Sequence, residues 1–277
     1  MTIERTELIT PEPARALAGL LQVEDPTARN DAELPLLWHW IYLLDRPARE
    51  DIGADGHPVR DTLPQPPGLG QRRMWAGGRV KLLGQLRFGE PATRRSTVVS
   101  SVEKQGRSGP LTLVTVSHRI HQDGVLVIDE EQDVVYRPHP AGSSAPPQTP
   151  GPAAIEPTPI SASGAPWVLA VDSPLLFRYS ALTYNGHRIH YDRDYAREIE
   201  GYPGLLVHGP LQATCMAEAA RAQGAVRARV DMTYRLISPL VDFQGMVVVA
   251  AREGSIFRAS VRDAAGRATA EGTITLT

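Results

Sequence analysis

The sequence predicts an α+β protein built from two similar units, each an antiparallel sheet wrapped around helix, joined in one chain. Three observations carry this expectation. Eight of the 24 prolines fall between Pro138 and Pro159, cutting the 277 residues nearly in half. Each half runs helical segments into strand-like runs separated by glycine-containing turns. Thr112, Val114, Val116 and His118 alternate with Leu113, Thr115, Ser117 and Arg119, the period of two that marks a strand with distinct faces.

In the first half, residues 13–22 (PARALAGLLQ) and 33–45 (ELPLLWHWIYLLD) carry apolar residues at helical spacing. Trp38, Trp40 and Tyr42 lie within the second pattern and are expected to pack in the core. A Pro/Gly-rich stretch, 51–70, reads as a long surface loop. Strands are expected at 78–89, 92–105, 111–124 and 125–137. Residues 1–137 thus form an expected N-terminal unit, 138–163 a Pro-rich linker that lacks ladder donors, and 164–277 a C-terminal unit.

The second half opens with a strand-like run, 175–184 (LLFRYSALTY). A short helix over 192–200 follows, with Asp192 as N-cap and Gly201 past its end. A longer helix, 210–223, has Pro210 at its start and Gly224 beyond its finish. Its residues Ala213, Ala217, Ala219, Ala220 and Ala222 are small enough for a sheet to wrap tightly. Strand-like runs at 226–239, 245–253, 255–263 and 266–277 close the chain.

At this length folding buries roughly three-quarters of the unfolded surface, so no covalent staples are needed. The single cysteine, Cys215, excludes an intrachain disulfide and any multi-cysteine metal centre. A net charge of −2, from 29 basic and 31 acidic residues, gives no overall attraction to nucleic acid or anionic membrane. The N-terminus, MTIERTELIT, has no apolar core of signal-peptide length, and no stretch approaches 18 uncharged apolar residues. A soluble, cytoplasmic protein is expected.

Chemistry concentrates in Tyr184-Asn185-Gly186-His187-Arg188-Ile189-His190-Tyr191-Asp192 and in Val207-His208-Gly209-Pro210, which together hold three of the eight histidines. Gly209 has no side chain and opens the long helix, whose first turn offers unpaired N–H donors and a partial positive charge. A carbonyl oxygen gaining negative charge would be held there. His190 is the natural general acid or base, since an imidazole titrates near neutrality. The spacing of His187, His190 and His208 is compatible with zinc, but with no cysteine or fourth ligand in view no metal is expected.

The segments 180–196 (SALTYNGHRIHYDRDYA) and 201–213 (GYPGLLVHGPLQA) resemble the C-terminal half of MaoC-like hydratases and dehydratases. Residues 68–98 (GLGQRRMWAGGRVKLLGQLRFGEPATRRSTV) resemble the N-terminal unit of that family's two-domain branch. The branch holds mesaconyl-C4-CoA and itaconyl-CoA hydratases and type 2 hydroxyacyl-thioester dehydratases. The resemblance implies a double hot-dog fold, a degenerate N-terminal hot dog followed by a catalytic one, acting on acyl thioesters without a cofactor. The family motif Asp-x-Asn-Pro-x-His lays its His on His190 and its acidic residue on Asn185, with His187 and Arg188 on the Asn and Pro. The His-Gly pair falls on His208 and Gly209.

His190 is then the implied acid/base and Gly209 the carbonyl-binding amide. Asn185 cannot take a proton and is expected to position water or carbonyl. Arg188 and Arg178 are expected to pair with a free substrate carboxylate, and Tyr184 and His208 to contact substrate. The paired arginines Arg72-Arg73 and Arg94-Arg95 are candidates for CoA phosphates, although such pairs are usually solvated. The expected activity is reversible hydration of itaconyl-CoA or mesaconyl-C4-CoA to citramalyl-CoA. The alternatives are an (R)-3-hydroxyacyl-thioester dehydratase of fatty acid metabolism and a non-catalytic acyl-CoA-binding protein. The two halves are expected to pair as a pseudo-dimer, with a homodimer or higher homo-oligomer left open.

Overall fold

Strand propensity dominates the molecule, and the order in which the strands pair reveals a repeat. The computed structural model describes residues 1–28, 33–60, 62–65, 71–106, 109–138, 155–225 and 229–277. Most of the expected linker, 139–154, and residues 66–70 of the expected loop lie outside them. The strands are β1 (Thr2–Leu8), β2 (Gln71–Leu82), β3 (Pro91–Gly106), β4 (Gly109–Gln122) and β5 (Val125–Pro138), then β6 (Trp167–Leu169), β7 (Val230–Leu236), β8 (Met246–Glu253), β9 (Ile256–Arg262) and β10 (Ala268–Leu276). They form one sheet in the order β1-β3-β4-β5-β2-β7-β10-β9-β8-β6.

Read from its own edge, each group of five strands has the same order, first-third-fourth-fifth-second. The groups meet where β2 pairs antiparallel with β7, from Gly77 opposite Arg235 to Leu82 opposite Val230. Two copies of one topology thus share a continuous antiparallel sheet, as the α+β double hot-dog class requires.

The copies differ in what they hold. In the second, helix α3 (Gly209–Ala222) is buried from Leu211 through Ala220 and packs against β8, β9 and β10. Its alanines bring the sheet backbone close, and one core cluster joins Leu17, Trp38, Leu176, Met216 and Phe257. Gly224, just past the helix, adopts φ +90°, the left-handed conformation expected of a glycine at that place. Among the described residues the first copy has no helix of that length. It has α1 (Pro11–Leu21), which packs against α2 (Ser173–Leu182). The expected helix-wrapped pair is therefore asymmetric.

Two other expectations are corrected. The pattern at 33–45 is not a long helix; only Trp38–Ile41 forms a 3-10 turn. Pro35 interrupts it, and Leu37 and Leu43 take φ of 70° and 55°, which no helix continues. Trp38 and Tyr42 are nonetheless fully buried, as expected of core residues. The run 175–184 is no strand: residues Ser173–Leu182 are α2. Asp172 caps it, Oδ1 accepting the N–H of Leu175 at 2.8 Å, and the buried residues Leu175, Leu176, Tyr179 and Ser180 recur at helical spacing. The short helix after Asp192 is present as one π-type turn, Tyr195–Ile199, with Asp192 Oδ1 accepting from the N–H of Tyr195 at 3.0 Å. Strands β1 and β6 were not anticipated. Among the described residues no helix is long and apolar enough to cross a membrane.

Candidate active site

The loop leaving α2 is shaped by its own polar groups. Asn185 donates its backbone N–H to Ser180 O at 2.8 Å, and its side-chain Oδ1 accepts the N–H of His187 at 2.9 Å. This bend sets up a 3-10 turn, Arg188–His190, which presents His190. His190 Nδ1 lies 2.8 Å from the carbonyl oxygen of Leu206. A carbonyl only accepts, so the ring proton is on Nδ1 and the lone pair on Nε2. The imidazole stacks on His208 with centroids 3.6 Å apart and planes at 19°. Burial pushes the His190 pKa down to about 4, against the opposing bond to Leu206. At neutral pH His190 is an uncharged base in a fixed tautomer.

Leu206 also leads into the helix start. Its N–H donates to Ile189 O at 3.0 Å, so the His190 turn and the segment ending in Gly209 are stitched together. Pro210 has no N–H, which leaves the amides of Gly209 and Leu211 as first-turn donors. A Cβ at position 209 would lie 2.2 Å from Leu236 Cδ1. Gly209→Ala is accordingly expected to push Leu236 into the cleft and lower turnover by roughly 10- to 100-fold, since a misplaced oxyanion donor costs rate steeply. Leu236→Ala in the same chain should restore part of the loss; full activity of the single variant in a steady-state assay would refute the steric claim.

His190 and Gly209 line one cleft of about 1270 Å³, open to both halves of the chain. Tyr184 and Asn185 line it too. The structure does not bring His208, Arg188 or Arg178 there, whereas Arg72, Arg73 and Arg94 of the expected arginine pairs do line it. His208 is fully buried behind His190, its Nε2 sharing a hydrogen bond with Ser180 Oγ at 2.8 Å, and so supports the His190 ring from the rear. Arg188 is turned away and held: Nε and Nη2 donate to Asp192 Oδ2 at 3.0 and 2.8 Å, Nη1 donates to Ala54 O at 3.1 Å, and the guanidinium covers the Tyr195 ring. Arg178 is exposed and outside the cleft lining.

The N-terminal half supplies two groups that sequence reasoning missed, and one that it named only as a candidate for CoA phosphate. His57 and Asp55, from the 51–70 stretch, and Arg73, from β2, line the same cleft. His57 lies 4.0 Å from His187 between ring centroids, and His187 lies 5.5 Å from His190. Burial pushes the His187 pKa well down, reinforced by the neighbouring histidines and Arg73. Of the cleft arginines, Arg72 pairs with Glu200 and Arg94 with Asp45, whereas Arg49, Arg73 and Arg137 have no carboxylate partner among the described residues, and of these three it is Arg73 whose charge acts on both His57 and His187. The one available signal was length, because loops of this size inside a compact chain are usually functional. Ligand atoms of Asp55, His57 and His187 all lie within 4.8 Å of one another, a spacing a divalent ion could use. The positive charge of Arg73, which acts on both histidines, opposes a cation there.

Fold and site together define a double hot-dog protein with a neutral imidazole and a helix-start amide at one cleft. A model of the family described as hydroxyacyl-thioester dehydratase type 2 matches residues 37–242, and the chain belongs to that family. It is 43% identical over 243 residues to a mesaconyl-C(4)-CoA hydratase of Chloroflexus aurantiacus, covering 87% of this chain and 84% of that one. Among solved structures, a MaoC-like dehydratase from Phytophthora capsici superposes with TM-score 0.70 at 15% identity, over 100% of this chain and 95% of that one. HtdX of Mycobacterium tuberculosis gives 0.67 at 15% identity over the whole of both chains. A further Mycobacterium tuberculosis protein described as a double hotdog gives 0.56 at 15% identity, over 100% of this chain and 95% of that one. These structural likenesses support the fold. The expected family membership and fold class are thus borne out.

Proposed function

We propose that the protein is a hydro-lyase that reversibly hydrates a short branched dicarboxylyl-CoA, mesaconyl-C4-CoA or itaconyl-CoA giving citramalyl-CoA. Identity of 43% along most of the chain to a mesaconyl-C(4)-CoA hydratase carries the reading. In this reading His190 Nε2 takes a proton from water, whose oxygen adds to the β-carbon. For mesaconyl-C4-CoA, whose double bond is conjugated with the thioester, the double-bond electrons move onto the thioester oxygen, which the N–H of Gly209 and the helix start hold as an enolate. Asn185 orients the water or the carbonyl, and the α-carbon is then protonated. Residues 164–277 carry this chemistry and 1–137 close the cleft. A CoA thioester as substrate fits a cytoplasmic location.

A second carboxylate on the substrate needs a cation that no protein carboxylate occupies. Arg188 is taken by Asp192, whereas Arg73 lines the cleft beside His57 and His187 with no carboxylate partner among the described residues. Arg73→Met is expected to lower kcat/KM for the dicarboxylyl thioesters by roughly 10- to 100-fold, the worth of a charge-assisted hydrogen bond. It should leave crotonyl-CoA within about threefold, because that substrate has no second carboxylate. The match to the dehydratase family favours one alternative, a dehydratase of 3-hydroxyacyl thioesters. Hydration of crotonyl-CoA in preference to both dicarboxylyl thioesters by the unaltered protein would select it.

A further inference from the structure

The hydratase reading, on which this inference rests, leaves one proton without a carrier. Hydration removes a proton at the β-carbon side and delivers one to the α-carbon. His190 serves the first step, and Asn185, standing where the family motif has a carboxylate, has no titrating proton for the second. We propose that Asp55 and His57, contributed by the N-terminal half, form the second proton-transfer group of the site.

The geometry of the pair is that of an oriented acid/base. His57 Nδ1 donates to Asp55 Oδ2 at 3.0 Å, and the backbone N–H of His57 donates to Asp55 Oδ1, also at 3.0 Å. The carboxylate therefore holds the proton on Nδ1 and leaves Nε2 as the working nitrogen. The ring is within the cleft lining and 4.0 Å, centroid to centroid, from His187. His187 in turn stands edge-on to His190 at 5.5 Å. Three imidazoles thus run in sequence from the base at the β-carbon to the Asp55 carboxylate.

The loop that carries this pair is fastened to the catalytic loop by backbone. Arg188 donates its N–H to Asp55 O at 2.9 Å and its Nη1 to Ala54 O at 3.1 Å. Gly56, at φ +89°, passes so close to Gly186 that a Cβ there would lie 1.8 Å from the Gly186 carbonyl oxygen. Within the loop, Gly53 N–H donates to His57 O at 2.8 Å and Val59 N–H to Asp51 O at 2.8 Å. Arg188 is thereby explained as the clamp between the two loops. Such fixing is what a proton-transfer group needs, because small displacements of a reacting group cost large factors in rate.

The steps balance. Water loses a proton to His190 Nε2 as its oxygen bonds the β-carbon, giving the enolate held at Gly209. The proton passes by way of His187 to His57 Nε2, and His57 gives it to the α-carbon as the enolate electrons form the new C–H bond. Every histidine begins and ends neutral, and Asp55 stays anionic. All three histidines have pKa values held below the ordinary imidazole range, chiefly by burial, which agrees with neutral resting rings.

The test is dehydration of the β-hydroxyacyl-CoA product with hydrogen or deuterium at the α-carbon, in the full-length chain. His57→Gln should lose about 100-fold in kcat and show a larger α-deuterium isotope effect than the unaltered protein, because α-proton removal becomes limiting. Asp55→Asn, which keeps size and loses the charge, should lose about 10-fold with the same rise. His190→Gln should move the isotope effect the other way, by slowing loss of the hydroxyl. Melting curves and binding of a saturated thioester report folding separately, and if His57→Gln does not fold, Asp55→Asn decides. Turnover within about fivefold of the unaltered protein, or a large loss with an unchanged isotope effect, would overturn the dyad. If the unaltered protein turns over neither a dicarboxylyl thioester nor crotonyl-CoA, the hydratase reading itself fails.

Discussion

His190→Gln is expected to fold and to hydrate on the order of 10²- to 10⁴-fold more slowly, the contribution of a well-placed general base. Glutamine keeps a donor toward the Leu206 carbonyl and has no lone pair of comparable basicity for water. The pH dependence of the unaltered protein carries the sign of the argument. The base acts when neutral, and burial lowers the His190 pKa to about 4. Then kcat/KM stays level as pH falls from 8 to about 5 and declines only below that, where an ordinary imidazole would already be protonated by pH 6. Because His187 and His208 are depressed as well, the fall belongs to the coupled set and not to one ring. An acid limb centred near pH 6.5 would show that the catalytic group is a solvated histidine, and full activity in His190→Gln would remove it from the chemistry.

Legibility followed how local each signal was. Helix α3 was readable from Pro210, Gly224 and a row of alanines, all features of one contiguous segment. His190 and Gly209 were readable as candidates because both stand in short motifs, and the fold brings both to one cleft. Helix α2 was misread because its aromatic and apolar residues suit strand and helix alike; the Asp172-Ser173-Pro174 start was the overlooked local sign. The 33–45 segment failed for another reason. Leu37 and Leu43 adopt left-handed backbone that no leucine prefers, an outcome of tertiary packing. Asp55 and His57 were invisible, and Arg73 was named only as one of a pair facing CoA phosphates, since only the pairing of β2 with β7 and the Gly56–Gly186 approach carry them to the cleft. Arg188 shows the converse: adjacency in sequence to His190 suggested a substrate contact, while in space its partners are Asp192 and the loop backbone.

The N-terminal half also carries a charged network whose loss is expected to have the largest effect on stability. Glu130 on β5 is 1% exposed, with Oε2 2.8 Å from His39 Nε2. Its Oε1 accepts from Trp40 Nε1 at 2.9 Å and from Gln132 Nε2 at 2.7 Å. Burial alone would raise its pKa, but the charge and hydrogen bond of His39 and the nearby His118 outweigh it and bring it down to about 2. A folded-state pKa below the unfolded value means stabilisation that is complete above about pH 4.5 and is lost as pH falls toward 2. His118 acts at higher pH: burial lowers its pKa to about 4, so stability declines from about pH 6.5 down to 4 as the unfolded chain takes up protons first. Glu130→Ala leaves His39 and the Trp40 indole N–H buried without an acceptor. Truncating one member of such a pair costs about 3–5 kcal/mol, or a melting temperature roughly 10 °C lower. Glu130→Gln keeps one acceptor and should cost about half as much. Thermal melts at pH 7.5 measure both; a shift under about 2 °C for Glu130→Ala would mean that water satisfies these groups and that the network contributes little.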